Sequence, residues 1–250
     1  VFHPAPPTKP RVPDPPPQRD DGGGAEFSRL NDAQIRRVFI RKVFSILLIM
    51  LLFTFACVAL SWFSPKFHEF TRKNPALYFV SYGLFLASYI TLACCKDVAR
   101  RPGINYAILA VLNISMTYML AMITAFHKTE NVMIALGITV AVCLAVVLFS
   151  MQSKYDFTRW IGPLFAASIA FFVFSIIMIF VHGRIMSMIY GGLGAVLFSI
   201  FLAVDIQLIM GGHRYEISEE DYVFASIMLY LDIIYIFLYI LQFISAARSD

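Results

Sequence analysis

Two aspartates occupy positions where a carboxylate is expensive. Asp205 lies in SIFLAVDIQLIMGG and Asp232 in IMLYLDIIYIFLYIL, segments that carry no other ionisable group apart from tyrosine. Placing an aspartate within a membrane costs at least ~2.5 kcal/mol on insertion scales, so such a residue faces the interior of a helix bundle and finds a partner there. Two chemistries fit. Each aspartate either makes an interhelical hydrogen bond to a serine, a tyrosine or backbone, or the two together form part of an ion pathway. A pair on neighbouring helices favours the pathway.

Depth can be compared by counting from the connection Gly211 to Tyr222 that joins the two segments. Asp205 precedes it by about 9 Å of helix and Asp232 follows it by about 15 Å, a difference that tilt can close. The carboxyls are therefore expected to meet in the half of the bilayer nearer that connection. Two carboxyls in contact cannot both ionise cheaply in a low dielectric, so they share a proton and can act as a proton-sensing latch. An arginine would act the other way, holding a carboxylate charged through a bidentate pair. Arg100 and Arg101, at the end of the second apolar run, are the candidates nearest in depth.

The elements that must position these groups are membrane spans. Of the 250 residues, 59% are hydrophobic and 14% charged, against roughly 45–50% and about 25% in soluble domains. One globular core cannot bury that excess, whereas a helix bundle in lipid keeps apolar side chains on both faces. Seven runs of membrane length follow one another: Val43 to Phe63, Ala76 to Cys95, Ile104 to Phe126, Val132 to Met151, Ile161 to Val181, Ile185 to Met210 and Val223 to Ala246. Each is near or above the ~20 residues that cross ~30 Å of hydrocarbon. The fold class expected is an all-α, seven-helix transmembrane bundle over residues 29–250. Within the sixth run, Gly191, Gly192, Gly194 and Ala195 are suited to close helix contact.

Residues 1–28 are rich in proline, glycine and charge and hold almost nothing to bury, so a disordered or polyproline-like tail is expected there. Ser28 to Lys42 forms an amphipathic approach, with Ser28 or Asn31 as its cap. No cleavable signal peptide is visible. Orientation follows from lysine and arginine placement. A cytoplasmic N-terminus puts Arg29, Arg36, Arg37, Arg41, Lys42, Lys96, Arg100, Arg101, Lys154, Arg159 and Arg214 inside, and Lys66, Arg72, Lys73, Lys128, Arg184 and Arg248 outside. That excess favours N-terminus in and C-terminus out.

Other chemistries find little support. The net charge of +4 comes largely from the first 42 residues and from short loops, not from the basic groove that nucleic acid requires. Cys57, Cys94, Cys95 and Cys143 read as small apolar fillers, with S-acylation an option at Cys94 and Cys95 near a helix end. His3, His68, His127, His182 and His213 lack zinc-site spacing. No phosphate loop or Ser-His-Asp arrangement is seen, so an enzyme is not expected, nor is a cofactor. The triplet opened by Asn113 lies inside the third span, where glycosylation is sterically implausible. A seven-helix receptor would place its N-terminus outside, and a retinal protein needs a lysine in the seventh span.

AVDIQLIMGG and ISEEDYVFASIMLYLDIIYIFLYIL closely resemble the end of the transmembrane Bax inhibitor motif family, and RRVFIRKVFSILLIMLLFT with RRPGINYAIL resembles its Lifeguard branch. The likeness runs from about residue 30 to the C-terminus. It implies a Bax-inhibitor-type fold, a pH-responsive calcium leak in an internal membrane, and suppression of cell death by lowering stored calcium. The family's paired aspartates correspond to Asp205 and Asp232, and its basic latch to Arg100 or Arg101, the choice between them open. Some prokaryotic relatives add a glutamate in the second helix; Ala76 to Cys95 has none. Calcium prefers six to eight oxygens, so two carboxylates with waters and carbonyls would hold it loosely, as a leak requires. The bilayer, calcium, protons and death-regulatory membrane proteins are the partners implied, with Golgi or endoplasmic reticulum as the location. The competing expectation is a non-conducting scaffold that regulates cell death through protein partners.

Overall fold

A computed structural model describes residues 22–63, 66, 69–70, 73–181, 183–211 and 215–248, with side chains described from residue 34 onward. The proline-rich tail through residue 21, and His68, Arg72, His182, His213 and Arg214, lie outside the described residues. Two units are distinguished, 1–34 and 35–250. The described part of the first is helix. The second contains the rest of that helix and every other element.

Seven long helices carry the chain: α1 (Gly22–Phe63), α2 (Pro75–Cys94), α3 (Ile104–Ala125), α4 (Thr129–Gln152), α5 (Ile161–Phe180), α6 (Arg184–Met210) and α7 (Tyr222–Ala247). A single turn, Lys96–Arg100, sits between α2 and α3, and 3₁₀ turns at Phe157–Trp160 and Glu219–Asp221 lead into α5 and α7. All seven are long and apolar enough to span a membrane, at the positions the hydropathy pattern predicts to within a few residues except at the start of the first. There α1 begins at Gly22, so Ser28 and Asn31 fall inside the helix and not at its start. Ala25, Glu26 and Leu30 are good helix formers, and no proline after Pro17 interrupts the approach, so the helix simply propagates backward.

The helices differ sharply in how much they bury. In α7, residues from Val223 to Ile244 recur in the core on almost every side, whereas α5 buries only Leu164. A helix apolar all round and buried all round is a central one; a helix apolar all round yet exposed faces lipid. So α7 and α3 are the most enclosed helices, and α5 lies at the rim.

Two glycines shape the connections near one membrane face. Gly103 (φ 93°) precedes α3 and Gly211 (φ 71°) ends α6, both in the left-handed region that a side chain strains. The turn at Gly211 lets the following segment fold back, and the Ile217 N–H donates to the Leu208 carbonyl at 3.0 Å.

Candidate proton and ion site between the sixth and seventh helices

Small residues bring α6 and α7 together. A Cβ on Gly191 would lie 2.8 Å from the Phe243 nitrogen and the Tyr239 carbonyl oxygen, so the two backbones touch there. At Gly194 the Tyr239 ring fills the space a Cβ would need. Gly192 is different: its nearest neighbour is the Phe243 ring at ordinary contact distance. Without a hydrophobic force between helices in lipid, such close approach supplies the van der Waals attraction that holds them.

The two helices pack along most of their length, and this brings Asp205 and Asp232 together. Their carboxyls lie within hydrogen-bonding reach of one another, and each residue is 6% exposed. The axial offset expected from counting does not keep them apart. Among the described residues no cation pairs with either aspartate. One oxygen, Asp232 Oδ2, is buried without a hydrogen-bond partner. Carboxyl oxygens only accept when ionised, so a hydrogen bond between two carboxyls requires a proton between them. Tyr89 of α2 lies within electrostatic range of both carboxyls, and Cys143 of α4 within range of Asp232.

Polar ties on either side of Asp205 fix α6 against α4 and the segment after it. Ser150 Oγ donates to the Ala203 carbonyl at 2.6 Å. Gln207 Nε2 donates to the Tyr155 carbonyl at 2.8 Å, and its Oε1 accepts from the Phe157 N–H at 2.7 Å. Residues 203, 205 and 207 thus each meet a polar partner.

Over residues 36–249 the chain matches the family described as "Inhibitor of apoptosis-promoting Bax1". It is a member of that Bax-inhibitor family. Among curated proteins, human Protein lifeguard 3 is 38% identical over 216 residues, covering 85% of this chain and 70% of that protein. Mouse Protein lifeguard 3 is 36% identical, covering 86% and 71%. Mouse Protein lifeguard 4 is 33% identical, covering 86% and 87%.

In this Bax-inhibitor chain the arginines proposed as latches are not joined to the aspartates. Arg100 Nε and Nη2 donate to the two carboxylate oxygens of Asp221 at 2.9 and 3.2 Å, and Nη1 pairs with Glu220. The bond to Asp221 raises the Arg100 pKa still further above the ordinary guanidinium value. Arg101 is exposed at the turn into α3, with no ion pair among the described residues. A cleft of about 390 Å³ opens beside Arg100, Lys96, Glu216 and Asp221, with Leu92 and Phe224 among its apolar lining. Of the cysteines, Cys143 is buried as a filler should be, while Cys94 and Cys95 are exposed.

Two constellations of this Bax-inhibitor bundle escape a reading of sequence. The first is a hydroxyl node: Thr54 Oγ1 donates to Asn113 Oδ1 at 3.0 Å and meets Thr117 Oγ1 at 3.0 Å and Tyr230 Oη at 2.9 Å. One hydroxyl donates once and accepts twice, so Thr54 is saturated and ties α1, α3 and α7 together. Its only signal in sequence is polar residues within apolar runs, and threonine is too common there to stand out. The second is Arg36. Its Nη1 donates to the Ile217 carbonyl at 2.7 Å and to Glu219 Oε1 at 2.8 Å, and Nη2 to the Leu208 carbonyl at 2.8 Å. In sequence it is one of four basic residues in RRVFIRK, and nothing there singles it out.

Proposed function

We propose that this protein is a pH-sensitive calcium leak of an internal membrane, Golgi or endoplasmic reticulum, that lowers stored calcium and so restrains apoptosis. It is a conduit rather than an enzyme. The observation that supports this reading is the meeting of Asp205 and Asp232 in the buried interior of α6 and α7, with no cation paired to them among the described residues and one oxygen of Asp232 unpartnered. A purely structural pair would be cheaper as an amide or as an apolar contact, because buried ionisable groups carry a large desolvation cost. Retaining two acids in contact makes sense where a proton or a cation must come and go.

In the resting state the pair holds one proton and the helices stay together through it. A second proton weakens the attraction of a shared charge for the first, α6 and α7 ease apart at this level, and the cleft near Arg100 and Asp221 connects inward past Leu92 and Phe224. Apolar side chains at such a neck gate by dewetting. With the pair protonated, calcium meets only the neutral carbonyl oxygens of the two carboxyls as weak ligands, completed by waters and backbone carbonyls toward its usual six to eight oxygens. With the N-terminus cytoplasmic, as lysine and arginine placement favours, the cleft faces the cytoplasm.

The test is purified protein in liposomes loaded with a calcium indicator. Calcium entry is expected to rise as pH falls, and Asp205→Asn or Asp232→Asn to abolish that pH dependence; an unchanged rise with acid in both variants would reject the carboxyl gate. A second reading is favoured by the family's description, which names inhibition of a protein. There the bundle is a scaffold that regulates death-promoting membrane proteins through its loops and tail. It predicts no flux at any pH, and undiminished protection of cells by the Asp205→Asn variant.

A further inference from the structure

Arg36 is a cation 12% exposed at the side chain, on the first span, that reaches into the connection between the sixth and seventh. Its guanidinium serves two carbonyls and one carboxylate, with Glu216 Oε2 a further 3.9 Å away and the Phe39 ring 5.1 Å beneath it. Leu208 is among the last residues of α6, where helix carbonyls lack an intrahelical partner. Its oxygen accepts both from Arg36 and from the Ile217 N–H, so one guanidinium holds the helix end and the segment folded against it. A positive group at a helix C-terminus is also favoured by the helix dipole.

The backbone is shaped around this group. A Cβ on Gly211 would lie 2.8 Å from Arg36 Nε, Arg36 Nη2 and Glu216 Oε2, and Gly211 has φ 71°. The positive φ favours glycine there, and any larger residue would also have to push the Arg36 and Glu216 side-chain ends aside. Yet Arg36 Nε is itself buried with no partner. A bulky apolar residue would fill the position without that desolvation cost, so the arginine is better explained by what its fork connects than by stability. What it connects is specific: Leu208 lies one helical turn beyond Asp205, and Glu219 precedes the helix that carries Asp232.

We infer that Arg36 is a positioning residue for the Asp205–Asp232 site, a clasp from the first span that holds both aspartate-bearing helices in the closed arrangement until it is released. The charged groups that face it are Glu216 and Glu219 of the connection. Arg100 grips the neighbouring Glu220 and Asp221 from the other side, at 37% exposure. Salt screens that outer pair far more than the inner one. The clasp rests on the calcium-leak reading for its consequence and not for its existence.

Hydrogen exchange followed by mass spectrometry tests the clasp directly, on the full-length protein, over the peptide containing Leu208 to Asp221. Arg36→Gln is expected to raise exchange there roughly tenfold, the loss of charge-assisted bonds to two elements, while the core of α7 stays protected. Arg36→Lys is expected to behave like Arg36→Gln, because a single ammonium cannot reach the Leu208 and Ile217 carbonyls and Glu219 in the same planar arrangement. Gly211→Ala, which leaves the arginine in place but crowds it, should raise exchange in the same peptide. In liposomes, Arg36→Gln should raise calcium entry at neutral pH severalfold and leave entry at acidic pH near wild type; general destabilisation would lower both. Wild-type exchange and wild-type neutral flux in Arg36→Gln overturn the inference, and so does full rescue by lysine. If the wild-type protein passes no calcium at any pH, the leak reading fails, and the exchange result still decides the clasp.

Discussion

The same two helices carry acids that are treated in opposite ways. Asp205 and Asp232 face each other, closed off from the surface and with no cation paired to them among the described residues. Just outside the membrane-spanning part of α7, the run Glu219, Glu220 and Asp221 is fully matched, Glu219 by Arg36 and the other two by Arg100. Arginine was available to the inner pair in principle, since Arg100 is close to the start of α7. Among the described residues the inner acids thus have no counter-cation, while the outer ones attach the connection to α1 and to the turn before α3. An acid held by arginine is a permanent charge; an acid held by another acid changes charge with pH.

This contrast can be attacked at several points. The largest effect is expected from converting the inner pair: Asp205→Asn or Asp232→Asn removes acid-stimulated calcium entry in liposomes, and if the contrast is misread the flux survives. Next comes the close approach that places those acids together. Gly191→Leu drives a side chain into the Phe243 and Tyr239 backbone, and overpacking of this kind costs about 1–3 kcal/mol. It should lower the midpoint of thermal unfolding in detergent and abolish the pH response as well, because the carboxyls no longer meet.

Smaller still is Thr54→Val. It strips the shared partner from Asn113, Thr117 and Tyr230, and interhelical hydrogen bonds in membranes are worth about 0.6–1.7 kcal/mol. A modest fall in thermal stability with an intact pH response would place the hydroxyl node on the structural side of the comparison. Arg100→Gln is expected to have the least effect on stability. Arg100 and Glu220 are exposed and Asp221 is half-buried, so the effect should shrink in high salt, measured as the unfolding midpoint at two ionic strengths. An arginine that acted on the inner acids would instead change the pH at which flux begins.

Much of the architecture was legible without coordinates. Long apolar runs separated by Pro, Gly and charge predict seven spans because lipid forces every backbone polar group into helical bonds. The two aspartates stood out for the same reason, and antiparallel neighbours joined by a short connection had to bring similar depths together. The small residues of α6 likewise pointed to close packing, though of the cluster it is Gly191 and Gly194 that meet the α7 chain while Gly192 does not. Depth and the family resemblance both point to Arg100 or Arg101 as the latch, yet among the described residues neither pairs with Asp205 or Asp232. Arg100 finds acids in the connection, beyond the membrane span, before it could reach any within.

The sequence by itself determined the number of spans, their order and the presence of two costly acids, because each of these depends on local composition measured against the thickness of a bilayer. Only the tertiary structure decided which partners the charges take. Arg36 is separated along the chain from Leu208 by four intervening helices and from Ile217 and Glu219 by five, and Thr54 from Tyr230 by five. Contacts of that kind are set by how seven similar apolar cylinders choose their neighbours. Hydropathy is nearly silent on that choice, because one apolar face resembles another, and it is steric detail at Gly191, Gly194 and Gly211, together with buried hydrogen bonds, that makes it.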